Sequence, residues 1–153
     1  MYEFVNKVLT ELPTDMNGMA RTPAANHLFN LNPEAMKLPK TTAQLFHHLV
    51  AKLHDLSRCT RQDIHTAVAF LCTRVQSPDE DDYKKLKRVM QYLRCTRELT
   101  LTIKPGSNKQ WWVNSSYAVH LDMQSHSGIM MKFGTGVTYS TSCKQKINTM
   151  SST

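Results

Sequence analysis

The spacing of the apolar residues changes near Arg97, and this change limits the folds that the chain can adopt. Before Arg97, apolar side chains recur every three or four residues, which is the period of an amphipathic helix. Over residues 99–103 they alternate with polar side chains, which is the period of a strand with one buried face. The sequence therefore predicts an α+β chain, with helices first and consecutive antiparallel strands after them.

Four helices are predicted in the first part of the chain, over about 2–12, 42–57, 60–75 and 78–95. Two of them carry start signals. Thr60 with Asp63 three residues later resembles a capping box, and Ser77 before Pro78 suits a cap followed by the first helical position. Residues 13–40 are rich in Pro, Asn, Asp and Thr, which predicts mostly loop.

The strands are predicted over 99–103 and over about 110–117, 127–133 and 136–143. Pro-Gly-Ser-Asn at 105–108 is typical of a turn and separates the first two. Gly-Thr-Gly at 134–136 predicts a tight hairpin between the last two.

The charge of the chain indicates a polyanionic partner. The formal net charge over 153 residues is +7 and the pI is near 9.4. Residues 1–57 hold five basic and five acidic residues, residues 58–104 hold ten and six, and residues 105–153 hold four and one. A nucleic-acid surface is therefore expected in the C-terminal two-thirds, with an affinity that falls steeply with salt. A basic protein without such a partner is the alternative.

The cysteines and the apolar runs indicate the compartment. Cys59, Cys72, Cys95 and Cys143 are far apart, which favours reduced thiols over a disulfide framework or a structural zinc site. The sequence shows no leader and no apolar run of about eighteen residues. We therefore expect an intracellular protein, cytoplasmic or nuclear, with no membrane partner.

The helix predicted over 78–95 carries five basic residues, which the family resemblance given below makes candidates for binding nucleic acid. Their ammonium and guanidinium groups can neutralise phosphates without reading bases. The alternative is a solvated face of the helix with no partner. The candidates all lie outside the apolar stripe of that helix, and they are Lys84, Lys85, Lys87, Arg88 and Arg94.

Two sets of sequence blocks carry a resemblance to a known family. Residues 111–118 read Trp-Trp-Val-Asn-Ser-Ser-Tyr-Ala, residues 144–146 read Lys-Gln-Lys and residues 151–153 read Ser-Ser-Thr. They closely resemble the start of the ribonuclease H region of copia-type retrotransposon polyproteins, where a Trp-Val-Asp-Ala-Ser type strand is followed by a Lys-Gln strand and Ser-Ser-Thr-Glu-Ala-Glu.

The second set is similar to the segment of the same family between the polymerase palm and ribonuclease H. Residues 45–53, 61–68 and 84–94 resemble its Leu-Val-Gly-x-Leu, Thr-Arg-Pro-Asp-Ile-x-x-Ala-Val and Leu-Lys-Arg-Val-x-x-Tyr-Leu-x-Gly-Thr patterns. Gln62 stands where the family usually has Pro, and Cys95 stands where it has Gly. The resemblance covers about residues 40–153.

The resemblance implies two regions. Residues 1–97 correspond to a helical thumb and connection of the reverse transcriptase, with 13–40 mostly loop, and residues 98–153 correspond to a truncated ribonuclease H-like β segment. The expected fold is thus a helical N-terminal two-thirds followed by an incomplete antiparallel ribonuclease H-like sheet. In the family, the basic helix holds the primer–template duplex, and the catalytic aspartates of the polymerase lie upstream of the position of Met1.

The resemblance also implies that the ribonuclease H site is broken. Asn114 occupies the position of the family's first metal-binding Asp, and Thr153 precedes the acidic helix expected to supply the next ligand. The reaction uses two divalent ions roughly 4 Å apart, and Mg²⁺ prefers carboxylate oxygen. Asp122 is the one acid after residue 104, in a stretch that the family does not use as a ligand. We therefore expect no catalytic residue, no metal ligand and no cofactor, although the intact family uses Mg²⁺.

Two further groups of residues are candidates for sites. His47, His48 and His54 are candidates for zinc, but adjacent histidines point to different faces of a helix, so zinc binding is not expected. Trp111 and Trp112 could stack on bases. Strand alternation is expected to place at least one of them in the core.

We interpret the chain as a fragment of a copia-type polyprotein, catalytically inactive as given, with at most residual binding to an RNA–DNA hybrid or duplex. The remainder of the polyprotein, if expressed, is the other expected partner. One alternative is a segment of a functional reverse transcriptase and ribonuclease H polyprotein whose missing carboxylates lie in flanking sequence. Another is a translated relic without a function. The sequence does not separate these interpretations.

Overall fold

The computed structural model describes residues 2–147, and the chain divides into two compact units, Met1–Leu99 and Thr100–Thr153. In the described part, all α-helices lie in the first unit and all sheet strands in the second. The predicted α+β class, with helices before antiparallel strands, is confirmed. No helix among residues 2–147 is both long enough and apolar enough to cross a bilayer.

The first unit is a helical unit with one apolar core. Its four helices in the described residues are α1 Tyr2–Thr10, α2 Lys40–Cys59, α3 His65–Cys72 and α4 Glu80–Cys95. In each helix, apolar residues recur at helical spacing and so form a stripe on one side. These stripes face one another in the core. The largest fully buried side chains of this core include Phe46, Leu49, Leu53, Phe70, Leu86, Met90 and Leu93.

Residues 11–39 connect α1 to α2 and contain one short 3₁₀ turn, Thr14–Met16. The segment contributes to the core, since Met16 and Leu28 are buried within it. Lys37 also forms an isolated antiparallel bridge with Asp79, immediately before α4. The loop is therefore attached to the helices at several places along its length.

The start of α4 differs from the prediction, because Asp79 rather than Ser77 is the cap. Asp79 Oδ1 accepts a hydrogen bond from the Asp82 backbone N–H at 2.9 Å, and Asp82 Oδ2 accepts one from the Asp79 N–H at 3.1 Å. Arg74 donates to both carboxylates at 3.0–3.1 Å. Burial raises the pKa of Asp82, which is fully buried. A reciprocal capping box tied by a guanidinium thus fixes where α4 begins.

The predicted capping box at Thr60 and Asp63 is wrong. Arg61 Nη2 donates to Asp63 Oδ2 at 2.8 Å. The Asp63 carboxylate therefore binds a guanidinium group, and not the backbone N–H of Thr60 as a capping box requires. Thr60 Oγ1 is buried without a hydrogen-bond partner in residues 2–147. A 3₁₀ turn, Gln62–Ile64, precedes α3 in place of the box.

The second unit is a three-stranded antiparallel sheet in its described part, in the order β1-β2-β3. The strands are β1 Lys104–Ser116, β2 His126–Thr135 and β3 Val137–Lys144. The predicted hairpin at 134–136 is confirmed, and Gly134 and Gly136 adopt φ values of 79° and 84°, which favour glycine.

The start of the sheet differs from the prediction. Residues 99–103 are not a strand, and the predicted turn at 105–108 lies inside β1. The β1–β2 register shifts between Lys104 and Lys109, which marks an irregularity in an edge strand. A Cβ on Gly106 would lie 2.6 Å from the Gly134 Cα, so glycine is needed where the two backbones approach. Pro105 is tolerated because an edge strand does not need every donor.

The sheet has no buried face among its described residues. Trp111 is 57% exposed and Trp112 is 49% exposed, so the prediction that one of them lies in the core is wrong. The two side chains point to opposite faces, but the second unit contains no helix in residues 100–147 that could cover either face.

Candidate nucleic-acid interface

Helix α4 carries a basic stripe, which we define as Lys84, Lys87, Arg88 and Arg94. The spacing of these residues in the sequence places them, together with Gln91, on one side of the helix. The buried residues of α4 lie on the opposite side and include Leu86, Met90 and Leu93. Core packing on one side therefore holds the basic stripe on the other.

The charges of the basic stripe are not neutralised by acids. Lys84 and Lys87 form no ion pair with any residue in 2–147. Arg88 Nη2 donates to the Thr22 hydroxyl at 2.9 Å, and Arg94 Nη1 donates to the amide oxygen of Asn17 at 2.9 Å. Both acceptors are neutral, so they orient the guanidinium groups without cancelling their charge. The stripe presents four positive charges that a polyanion could neutralise.

Lys85, the remaining candidate on α4, has a different environment. Its side chain is only 9% exposed, and its ammonium lies 2.8 Å from an Asp81 carboxylate oxygen and 4.8 Å from the Phe70 ring centroid. It also donates to the backbone oxygen of Asn30. Lys85 thus joins the loop to α4, and its charge is already paired. Its ammonium group is therefore less available to a polyanion than the unpaired charges of the basic stripe.

The loop that follows α1 lies against the basic stripe. Gln91 Nε2 donates to the Asn17 backbone oxygen at 2.8 Å. A Cβ on Gly18 would lie 2.7 Å from that same nitrogen, and Gly18 has a φ of 123°, so this position requires glycine. The loop is thus held at a fixed distance from α4.

A cavity lies between this loop and α4, and its volume is about 270 Å³. Three of the four basic-stripe residues line it, namely Lys84, Lys87 and Arg88. Sequence reasoning missed the loop wall, because its apolar residues carry no motif. That wall consists of Pro23, Ala24, Ala25, His27 and Leu28.

The residues that the resemblance aligns with a ribonuclease H metal site do not fit a pair of Mg²⁺ ions. Asn114 lies on β1 opposite Gly128, and its neutral amide oxygen accepts a hydrogen bond from the Ser115 N–H at 2.8 Å. Asp122 is paired with Lys144 at 2.5 Å, and this hydrogen bond lowers the pKa of Asp122. Within residues 2–147, no three His, Cys, Asp or Glu side chains lie close enough to hold a metal. The Ser-Ser-Thr block at 151–153 lies outside the described residues.

The histidines considered for zinc are placed separately along α2. His47 and His48 are exposed, and His48 Nε2 lies 3.4 Å from a Glu11 carboxylate oxygen. His54 Nδ1 is buried and has no hydrogen-bond partner in the described part of the chain.

A buried polar chain in the second unit was not found by sequence reasoning. His120 Nε2 lies 3.1 Å from His126 Nδ1, and His126 Nε2 lies 2.8 Å from Ser142 Oγ. Burial, followed by the charge of Lys144, lowers the pKa of His120. The only signal in the sequence was a His-x-Asp pair in a predicted loop. The chain of hydrogen bonds attaches the loop before β2 to the sheet.

No family model, curated protein or solved structure matches this chain. Its function is therefore inferred from the residues and their geometry.

Proposed function

We propose that the chain is a fragment of the reverse transcriptase and ribonuclease H region of a copia-type retrotransposon Pol polyprotein. In this proposal, the basic stripe of α4 binds the phosphate backbone of an RNA–DNA hybrid or duplex without sequence preference. The sequence blocks at 45–53, 61–68, 84–94 and 111–118 support the origin. The uncompensated charges on one side of a packed helix support the binding.

The single observation that carries the binding proposal is the absence of acidic partners around the basic stripe. Exposed cations paired to carboxylates contribute little to recognition of a polyanion, because their field is cancelled locally. Lys84, Lys87, Arg88 and Arg94 have no such pairing within residues 2–147. Such contacts give affinity and position but do not read base identity.

The proposal includes no hydrolysis. The intact family uses Mg²⁺, but Asn114 offers no negative charge and Asp122 is paired with Lys144. Charge and bridging oxygens are what two hard cations need from their ligands. The proposed partners are nucleic acid and the remainder of the polyprotein, and the proposed location is the cytoplasm or the nucleus.

Charge reversal tests the proposal. Lys84→Glu, Lys87→Glu and Arg88→Glu are combined, and binding to a labelled RNA–DNA hybrid is measured by fluorescence anisotropy at low salt. We expect the affinity to fall by at least about tenfold, because attraction is replaced by repulsion at three neighbouring sites.

The matched control carries the same change in net charge on other helices, as Lys7→Glu, Lys40→Glu and Arg58→Glu, all of which are exposed. We expect this control to bind more tightly than the α4 variant. Equal affinities for the two triple variants would show that net charge alone, and not the basic stripe, causes the binding.

A further inference from the structure

The cavity between α4 and the loop at 23–28 has two unlike walls. The loop wall includes the apolar residues Pro23, Ala24 and Leu28, and the helix wall includes Lys84, Lys87 and Arg88. Its volume of about 270 Å³ is near the lower end of small-molecule pockets, which span about 300–1,000 Å³. A double helix cannot enter such a space, but a single phosphorylated sugar and base is of suitable size.

The helix wall includes the guanidinium group of Arg88, whose hydrogen-bond acceptor, the Thr22 hydroxyl, is neutral. Arg88 Nε is buried and has no hydrogen-bond partner among the described residues, although Nη2 of the same side chain binds Thr22. Nε itself has almost no accessible surface, so a ligand in the cavity would contact the rest of the Arg88 guanidinium group. Asp81 also lines the cavity, but its carboxylate is paired with Lys85. The cavity therefore keeps a positive charge that an anionic ligand can neutralise.

We propose that this cavity binds the phosphorylated end of a nucleic-acid strand, with the terminal phosphate monoester against Lys84, Lys87 and Arg88 and the sugar and base against the loop wall. This inference rests on the proposed function, because it assumes that the basic stripe binds nucleic acid.

Charge and shape both favour an end over the interior of a strand. An internal phosphodiester carries one negative charge, and the chain must enter and leave its binding site. A terminal monoester carries about 1.5 to 2 negative charges at neutral pH, and only one side of it is connected to the strand. A concave site with three cations suits the second group better.

The test compares two single-stranded DNA oligonucleotides of the same sequence, one with a terminal phosphate and one with a terminal hydroxyl. Fluorescence anisotropy with the full chain gives both affinities at one salt concentration. We expect the phosphorylated strand to bind about fivefold more tightly, which is the upper range for one exposed charge interaction. Adenosine monophosphate should remove this preference at a lower concentration than inorganic phosphate does, because only the nucleotide also contacts the loop wall.

Two variants test whether the preference for the phosphorylated strand arises in the cavity. Ala25→Trp fills the cavity while every charge is kept, and we expect it to bind the phosphorylated strand no more tightly than the hydroxyl strand. Ala25→Ser is the matched control and should retain the preference. Circular dichroism of the helices verifies that each variant is folded, and Lys87→Gln, which needs no extra volume, should also reduce the preference.

The possible failures are distinguishable. Equal binding of the two strands by the unmodified chain overturns the inference and leaves the proposed function standing. A preference that survives in folded Ala25→Trp places the terminal phosphate outside the cavity and also overturns it. If neither strand binds and the RNA–DNA hybrid does not bind, the proposed function and the inference both fail.

Discussion

At the scale of single residues, Asn114 stands where the proposed origin would place a metal-binding Asp. Its amide oxygen is neutral and already accepts the Ser115 N–H. A carboxylate at this position would add one charge, but hydrolysis by two metal ions needs several carboxylates around the same point. The nearest acid in sequence, Asp122, is paired with Lys144.

The first prediction concerns Asn114→Asp. Within this chain the substitution should give no cleavage of the RNA strand of a hybrid with Mg²⁺ or Mn²⁺, because one ligand does not assemble a site. Stability should change by less than about 0.5 kcal/mol, since residue 114 is exposed. Gel analysis of a labelled hybrid measures the cleavage, and a mock purification is the control. Cleavage by the unmodified chain, but not by the mock preparation, would show that Asp122 or another dismissed acid binds metal.

Two adjacent lysines show what sequence can predict at this scale. Both Lys84 and Lys85 were expected to serve as phosphate-binding residues, and their charge is evident from the sequence. The role of Lys85 depends on Asn30, a loop residue far away in sequence, and on the Phe70 ring of α3. Such partners come together only in the folded chain, so the sequence could not distinguish the two lysines.

At the scale of elements, we expect the hydrogen-bonded joint between the loop before β2 and the sheet to weaken at low pH. His120 is buried beside His126, and Lys144 and Asp122 are the charged groups that act on it. Burial holds the pKa of His120 below its ordinary value of about 6.5. At pH values between the lowered pKa of folded His120 and its ordinary value, the unfolded chain binds more protons than the folded chain. The stability is therefore complete above about pH 6.5 and is lost as the pH falls through the lowered pKa.

The second prediction follows from this loss of stability at low pH. Urea unfolding of the second unit can be followed by the fluorescence of Trp111 and Trp112 on β1. The urea concentration at the midpoint of unfolding should be lower at a pH well below about 6.5 than at a pH above it. His120→Gln should make the midpoint less sensitive to pH over the same range, because the titrating ring is gone. An equal pH dependence in the variant would assign the effect to another group.

The elements were predicted with unequal success, for physical reasons. The main part of α4 was predicted from the helical spacing of its apolar residues, which is a local property of the sequence. Its first residue was missed because the capping box at Asp79 and Asp82 is completed by Arg74 from outside the helix. The start of β1 was missed because the Pro-Gly sequence at 105–106 is typical of a turn, whereas in the sheet Gly106 allows close approach to Gly134.

At the scale of the whole chain, the two units differ in how well their backbones are covered. The helices of the first unit surround a buried apolar core, whereas the described strands contribute no residue to that core and are mostly half-buried or exposed. Slow opening requires buried apolar contacts. The third prediction is that amides of 80–95 exchange slowly with solvent and that amides of 127–143 exchange quickly. Hydrogen exchange measured by mass spectrometry gives both rates. Equal protection of the two segments would show that the sheet is covered by a contact that residues 2–147 do not reveal.

In the proposed function, both the affinity for nucleic acid and its salt dependence come from the charges that α4 holds on one side. Removing the cation that neutralises one phosphate should reduce the magnitude of the slope of log affinity against log salt by about 0.9 for duplex DNA. Neutral substitutions avoid the repulsion that charge reversal introduces. Lys84→Gln, Lys87→Gln and Arg88→Gln are therefore combined for the decisive comparison.

The most direct measurement is the affinity for duplex DNA over a series of potassium chloride concentrations. For the unmodified chain, log affinity should fall linearly with log salt, and the neutral variant should reduce the magnitude of the slope by about two to three. The control Lys7→Gln, Lys40→Gln and Arg58→Gln should keep the original slope. The same slope in the α4 variant as in the unmodified chain would contradict the account, because phosphates would then be bound elsewhere.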